Sequence, residues 1–364
     1  MRLGDFAVIS YELSEEQEII RSTMRELAQN VLAPKARKHD LDSALSDEAL
    51  DAIWQSGVIQ LQAEAGERSP LNNAIILEEL AAGDGNVAMA TSAACAFVAA
   101  ITDLGSDGQR ALLKNGLQGT QFTTGVIAGM EPGFARDVTQ PRTTARRAGD
   151  DFVVTGSKIL VPLAKRASHF LVIADLDGAT DAFIVPRDAA GLTVTSEEVL
   201  GMRGSEMGQV KLDGVAVPAD MRLGTGNGAD VQRLFDSSRI GASAIMLGQA
   251  RAVMAHIIPY TKERIVHGTP LARKQKVAFD IADMRMETDI MRWMVWKAAW
   301  ALQEGVSATR PAQLAYTYAS QQVMQIADNG VQAMGGHGYV EEHPMEMWYR
   351  NARSLSVLEA VAGV

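Results

Sequence analysis

Cysteine is nearly absent. The 364-residue chain holds one, Cys95, so no disulfide forms within it and no multi-cysteine zinc or iron–sulfur site can be built. An excess of positive charge is missing too: 34 Lys and Arg face 44 Asp and Glu, a net charge of −10. Binders of nucleic acid or anionic lipid carry basic stripes, so neither partner is expected. Aromatic residues reach only 5%, which argues against the aromatic-rich strands of many all-β proteins. No run of 18 apolar residues occurs; AMATSAACAFVAAI (88–101) comes nearest and reads as a buried helix rather than a membrane span. The opening MRLGDFAVISYELSEEQ lacks the apolar stretch and cleavage site of a secretory signal, so a cytoplasmic protein is expected. None of the six histidines forms an HExxH pair or another tight ligand spacing, so no metal is expected. What the chain does have is 47% apolar residues and 17 Met, a helix-rich aliphatic composition that excludes global disorder. Its length suits two to three domains.

The first third reads as helices. Ser14 is placed to cap one, with Glu15 and Glu16 in the first turn and Ile19, Ile20, Met24, Leu27 and Val31 at helical spacing before Pro34 interrupts. Ser46 caps a second, which Gly57 stops, and Gly83-Asp84-Gly85 separates two more. Near residue 120 the texture changes to short Val-, Thr- and Ile-rich runs punctuated by Gly-Asp and Asp-Gly, which predicts an antiparallel β-domain of about 100 residues. DLDGATD and KLDGVAV each carry an Asp-Gly turn signal. Helical periodicity returns near 228, with two long segments (228–263 and 272–304), and Pro344 opens the last helix. The expected fold class is mainly α with a central β-domain. Its divisions are a helical domain over 1–118, a β-domain over 119–226 and a helical bundle over 227–364.

GTGNGA (224–229) fits a loose dinucleotide pattern, but helix after helix follows instead of further βα units, so it reads as a boundary loop. Cys95 has no flanking base and reads as an inert core thiol. One composite pattern survives: EPGFARD (131–137), GMRGSEMGQVKLDGVAVP (201–218), KERIVHGTPLARKQKVAFDIADM (262–284) and QIADNGVQAMGGHGYVEEHPMEMWYRNARSLSVLEA (325–360). Each piece is weak alone. In this order, within an α-β-α layout, the chain resembles the acyl-CoA dehydrogenase family over nearly its whole length.

The resemblance implies a flavoenzyme fold whose C-terminal part is a four-helix bundle. It also implies desaturation of an acyl-CoA thioester, fatty or steroid, with FAD taking the hydride and a glutamate removing the Cα proton. Counting along YRNARSLSVLEA places the family's base at Glu359, which otherwise reads as a solvated glutamate. A second base position used by some members falls near Ser238, where no carboxylate stands. In the family each flavin is shared across a subunit interface. The positions that would hold this chain's own flavin depart from pattern: Met130 and Pro162 replace hydroxyl residues, Leu160 a Trp, and Arg136 a Ser. The positions that reach a neighbour's flavin are kept. Arg264 matches the pyrophosphate arginine, with a helix-surface arginine as the bland alternative. Gln275 lies near the same contact, and Gln332 with Gly335 and Gly336 matches the turn against the adenosine diphosphate, where a plain helix stop is the alternative. Arg203 and Ser205 match an element that either serves the β-domain fold or touches acyl-CoA. The implied substrate pocket lies between the N-terminal helices and the β-domain. Three functions fit: a dehydrogenase working alone or with a paralogous chain, a non-catalytic subunit completing a partner's site, or a non-redox acyl-CoA enzyme. All suit a homo- or hetero-oligomer, a dimer of dimers.

Overall fold

The computed structural model describes residues 12–64, 66, 68–119, 121–133, 137–224 and 230–364. Arg136 and the GTGNGA loop beyond Gly224 lie outside them. Helix α1 (Glu15–Leu27) opens with a capping box in which Ser14 Oγ accepts from the Gln17 N–H and the Gln17 side chain accepts from the Ser14 N–H. Pro34 does not interrupt the chain as expected. A π-helical turn (Ala28–Leu32) leads into α2 (Ala33–Asp42), whose first turn takes the proline where an N–H is not needed. Helices α3 (Asp47–Gln55), capped by Ser46, and α4 (Val58–Leu61) follow. Then come α5 (Pro70–Gly83), α6 (Gly85–Leu104) and α7 (Asp107–Gly116). Helix α6 is long and apolar enough to cross a membrane, yet its apolar window is 89% buried inside the protein, against α5, the sheet and the C-terminal helices.

Seven strands form one sheet: β1 (Val126–Ala128), β2 (Thr144–Ala148), β3 (Asp151–Val161), β4 (His169–Leu176), β5 (Ala179–Pro186), β6 (Leu192–Ser196) and β7 (Gly208–Val217). The order is β1-β4-β2-β3-β7-β6, with β5 also on β4. Most pairings are antiparallel as expected, but β1 and β2 run parallel to β4. Local turn signals carry no trace of such pairings, because parallel neighbours are joined by distant connections. The first Asp-Gly signal makes the β4–β5 hairpin, with Asp177 (φ 56°) and Gly178 (φ 86°) supplying both left-handed residues. The second does not make a turn. Asp213 and Gly214 (φ 67°) stand opposite the single residue Thr155, a bulge inside β7.

The C-terminal part holds α8 (Val231–Glu263), a small hairpin of β8 (Ile265–Val266) and β9 (Thr269–Pro270), α9 (Gln275–Gln303), α10 (Thr309–Met334) and α11 (Met345–Leu355). Helices α8, α9 and α10 alternate in direction and pack on one another, and α11 closes the bundle against α10 and α8. The end of α8, the start of α9 and the end of α10 therefore share one end of the bundle. Helix α5 packs along α8, joining the N-terminal helices to the bundle through one continuous core.

Candidate functional site

Glu359 follows α11 and comes to rest against α8. Its Oε1 accepts from Arg239 Nε and Nη2, each at 2.7 Å, and its N–H points at Met130 Sδ at 3.4 Å. The Tyr316 O–H donates to the neighbouring Leu358 carbonyl at 2.9 Å. Burial pushes the Tyr316 phenol up, and the negative charge of Glu359 adds to the push. The Arg239 side chain is only 11% exposed and that of Glu359 25%. The carboxylate is thus committed to a guanidinium in a half-dry setting. Sequence reasoning missed Arg239, although it stands next to Ser238, where a second base was looked for.

The segment after Glu359 turns inward. Ala360, Val361, Ala362 and Val364 are 2% exposed or less, wedged between α6, α8 and the β1 edge. Three serines hold it. Ser92 Oγ donates to the Gly363 carbonyl (2.8 Å) and accepts from its N–H (2.9 Å). Ser238 Oγ accepts from the Val361 N–H (3.2 Å). Ser237 Oγ accepts from the Val364 N–H and donates to its carbonyl, both at 3.0 Å. The signal available in the sequence was hydroxyls set in otherwise apolar helices, a pattern that asks for buried partners.

On the sheet side, Lys158 is wholly buried and donates to Glu131 Oε1 (2.7 Å) and the Gly129 carbonyl (3.2 Å). Burial pulls its ammonium down to about 8 against the opposing charge of Glu131. Burial pulls the Glu131 carboxyl up, but the Lys158 charge and bonds from Lys158, Thr143 and Arg142 outweigh it and hold it below its ordinary range. Leu160 (φ 53°) gives its N–H to Glu197 Oε2 at 2.8 Å. Beside it lies a cavity of about 250 Å³ whose walls include Leu160, Val199, Met202, Met207, Val357 and Leu358. That lining is mostly apolar, with Arg353 and Ser354 as its polar side chains.

Ser205 is fully buried and its Oγ meets Asn86 Oδ1 at 3.3 Å, tying the sheet to α6. Arg203 lines a separate cavity of about 500 Å³ with Lys165, Glu197, Glu198 and Glu206. The remaining candidates gather at one end of the bundle. Arg264 caps α8, Gln275 begins α9 and Gln332 lies in the last turn of α10; all three are exposed. Among the described residues the Arg264 guanidinium has no ion-pair partner. Gly335 (φ 58°) and Gly336 have open space where a Cβ would stand. Tyr260 Oη and His337 Nδ1, 2.7 Å apart, tie the α8 and α10 ends together.

Family models match three consecutive stretches: the acyl-CoA dehydrogenase N-terminal domain over 14–117, the middle domain over 127–215 and the C-terminal domain over 226–359. Cyclohexane-1-carbonyl-CoA dehydrogenase of Geobacter metallireducens is 30% identical over 96% of this chain and 95% of its own. The probable acyl-CoA dehydrogenase YngJ of Bacillus subtilis is 29% identical over 98% and 97%. The structure of butyryl-CoA dehydrogenase from Megasphaera elsdenii superposes with a TM-score of 0.87 at 28% identity, covering 96% of this chain and 95% of that one. With matches running from end to end in sequence and in fold, the chain belongs to the acyl-CoA dehydrogenase family, whose members are FAD-dependent enzymes.

Proposed function

We propose that this chain is one subunit of a heteromeric acyl-CoA dehydrogenase, in which it clamps the nucleotide half of a flavin seated on a paralogous partner. The observation that carries the reading is the contrast between the two flavin-facing surfaces. On its own sheet the residues do not fit the cofactor: Pro162 has no N–H, the Leu160 N–H is bonded to Glu197, and the adjoining cavity is small and mostly apolar. At the bundle end they do fit. An exposed guanidinium with no ion-pair partner among the described residues, two glutamine amides at the same bundle end and an open Gly-Gly backbone suit a pyrophosphate and its sugar. When bound, FAD supplies the hydride acceptor for desaturation of the partner's acyl-CoA. This chain contributes binding and orientation of the phosphates. On this reading Glu359 anchors the last segment to α8 instead of removing a proton.

An apolar stripe along α9 supports association with another chain. Phe279 is 60% exposed and Met286 55%, and Ile290 and Trp293 continue the same face at steps of four and three residues. The test is a visible spectrum of the chain purified alone and co-purified with its paralogue. The chain alone should be colourless and the complex yellow, with one flavin per two chains. Arg264→Ala should release flavin from the complex on dilution, with the subunits still co-eluting. Stoichiometric flavin in the lone chain, bleached by an acyl-CoA, would overturn the proposal.

A further inference from the structure

The slot between α6, α8 and the β1 edge begins at Glu359, where the family resemblance sets the reacting end of an acyl chain. It runs inward from there, and this chain fills it with its own residues 360–364. The walls are shaped to that backbone. A Cβ on Gly241 would stand 2.8 Å from the Gly363 nitrogen, and one on Gly129 2.7 Å from the Ala360 carbonyl oxygen. A Cβ on Gly363 would meet Ala96 Cβ at 2.7 Å. The backbone N–H groups of Val361, Gly363 and Val364 each find a serine oxygen, on Ser238, Ser92 and Ser237 respectively. Arg68, whose side chain is 6% exposed and paired with Asp103, donates to the Val364 carbonyl at 3.2 Å. Past that point only about 20 Å³ of free space remains, bordered by Arg68, Ala96 and Ser237. The slot is therefore full and its polar groups are satisfied.

We infer that residues 360–364 act as a built-in plug that closes this chain's acyl slot to acyl-CoA. The inference takes the identity of the excluded ligand from the acyl-CoA reading above, but it does not depend on the flavin clamp. Buried hydroxyls in an apolar wall would be poorly matched by a hydrocarbon chain, which offers them nothing. Backbone amides match them fully. Ser238, at the family's second base position, serves as an acceptor for the plug. A ligand that needs the slot must first displace five residues, so its apparent affinity falls by the fraction of molecules in which the slot is vacant.

The test uses octanoyl-CoA and titration calorimetry on the full chain without its partner. A variant lacking residues 360–364 is compared with Gly363→Val, which keeps the segment and expels it by bulk. The full chain should give no binding heat, and both variants should bind octanoyl-CoA roughly tenfold tighter or better. Hydrogen exchange on the unmodified chain supplies a check that needs no variant. The amides of 361, 363 and 364 should exchange roughly a hundredfold or more slower than free-peptide rates. The inference falls if the full chain binds octanoyl-CoA as well as the variants, if both folded variants fail to bind it, or if those amides exchange freely. A colourless chain that binds octanoyl-CoA would overturn the plug and leave the flavin clamp standing, so the two proposals fail separately.

Discussion

The pair that decides the chemistry of Glu359 is its bond to Arg239, and a double-mutant cycle measures it. Arg239→Met keeps the length of the stem and removes the guanidinium; Glu359→Gln keeps the shape and removes the charge. Breaking a fully buried pair costs about 3–5 kcal/mol, whereas exposed pairs couple by roughly 0.2–1 kcal/mol. Glu359 retains 25% of its side-chain exposure, so water screens the pair and the expected coupling is discounted to about 1–2 kcal/mol. Asp236 does not confound the cycle. It sits at 3.8 Å from Arg239 and keeps bonds from Gln232 (2.8 Å) and Thr309 (2.7 Å) in either variant. Thermal unfolding of the wild type, both singles and the double is the assay. The double should be less destabilised than the sum of the singles by about 1–3 °C. Additivity to within about 0.5 kcal/mol would mean that the carboxylate is not held by Arg239. The reading of this site as an anchor would then be wrong.

Two further outcomes follow. Because the Glu131 carboxyl is held below its ordinary range in the native state, its stabilisation is fully present above the unfolded-state value of about 4.3 and is lost as pH falls through the lower native value. Glu131→Gln should therefore lower the urea midpoint at pH 7, leaving buried Lys158 without its anion, and flatten the decline below pH 5; an unchanged acid slope counts against the pair. Gly214→Ala should cost about 1 kcal/mol, since φ is 67° with nothing within 4 Å of a Cβ, and Gly214→Asn should cost less; equal stability of all three would mean that the bulge is not formed.

Where the sequence was legible, the information was local. Ser14, Ser46 and the Gly83-Asp84-Gly85 joint mark helix ends through side chains that bond backbone a few residues away, and the structure uses all of them. The Asp-Gly at 177–178 was read correctly and the one at 213–214 was not. The same dipeptide supplies left-handed backbone to a hairpin and to a bulge, and only the partner strand decides between them. Pro34 looked like a stop because nothing in its neighbourhood announces the π-turn that delivers it to a helix start. The parallel pairings of β1 and β2 with β4 rest on non-local register. The candidate site divides in the same way. Glu359 and the bundle-end residues are candidates by motif position alone, whereas Arg239, Ser92 and Ser237 acquire meaning only through partners more than 100 residues away.

Ser92 and Gly363 are bonded across 271 residues. During synthesis α6 and the β1 edge come first and α8 later, so the slot between them has its walls before the segment that fills it is made. Contacts of such span slow folding and leave apolar surface open while they wait. The nascent chain therefore carries an open apolar cleft until residues 360–364 have been made and have folded back onto Ser92.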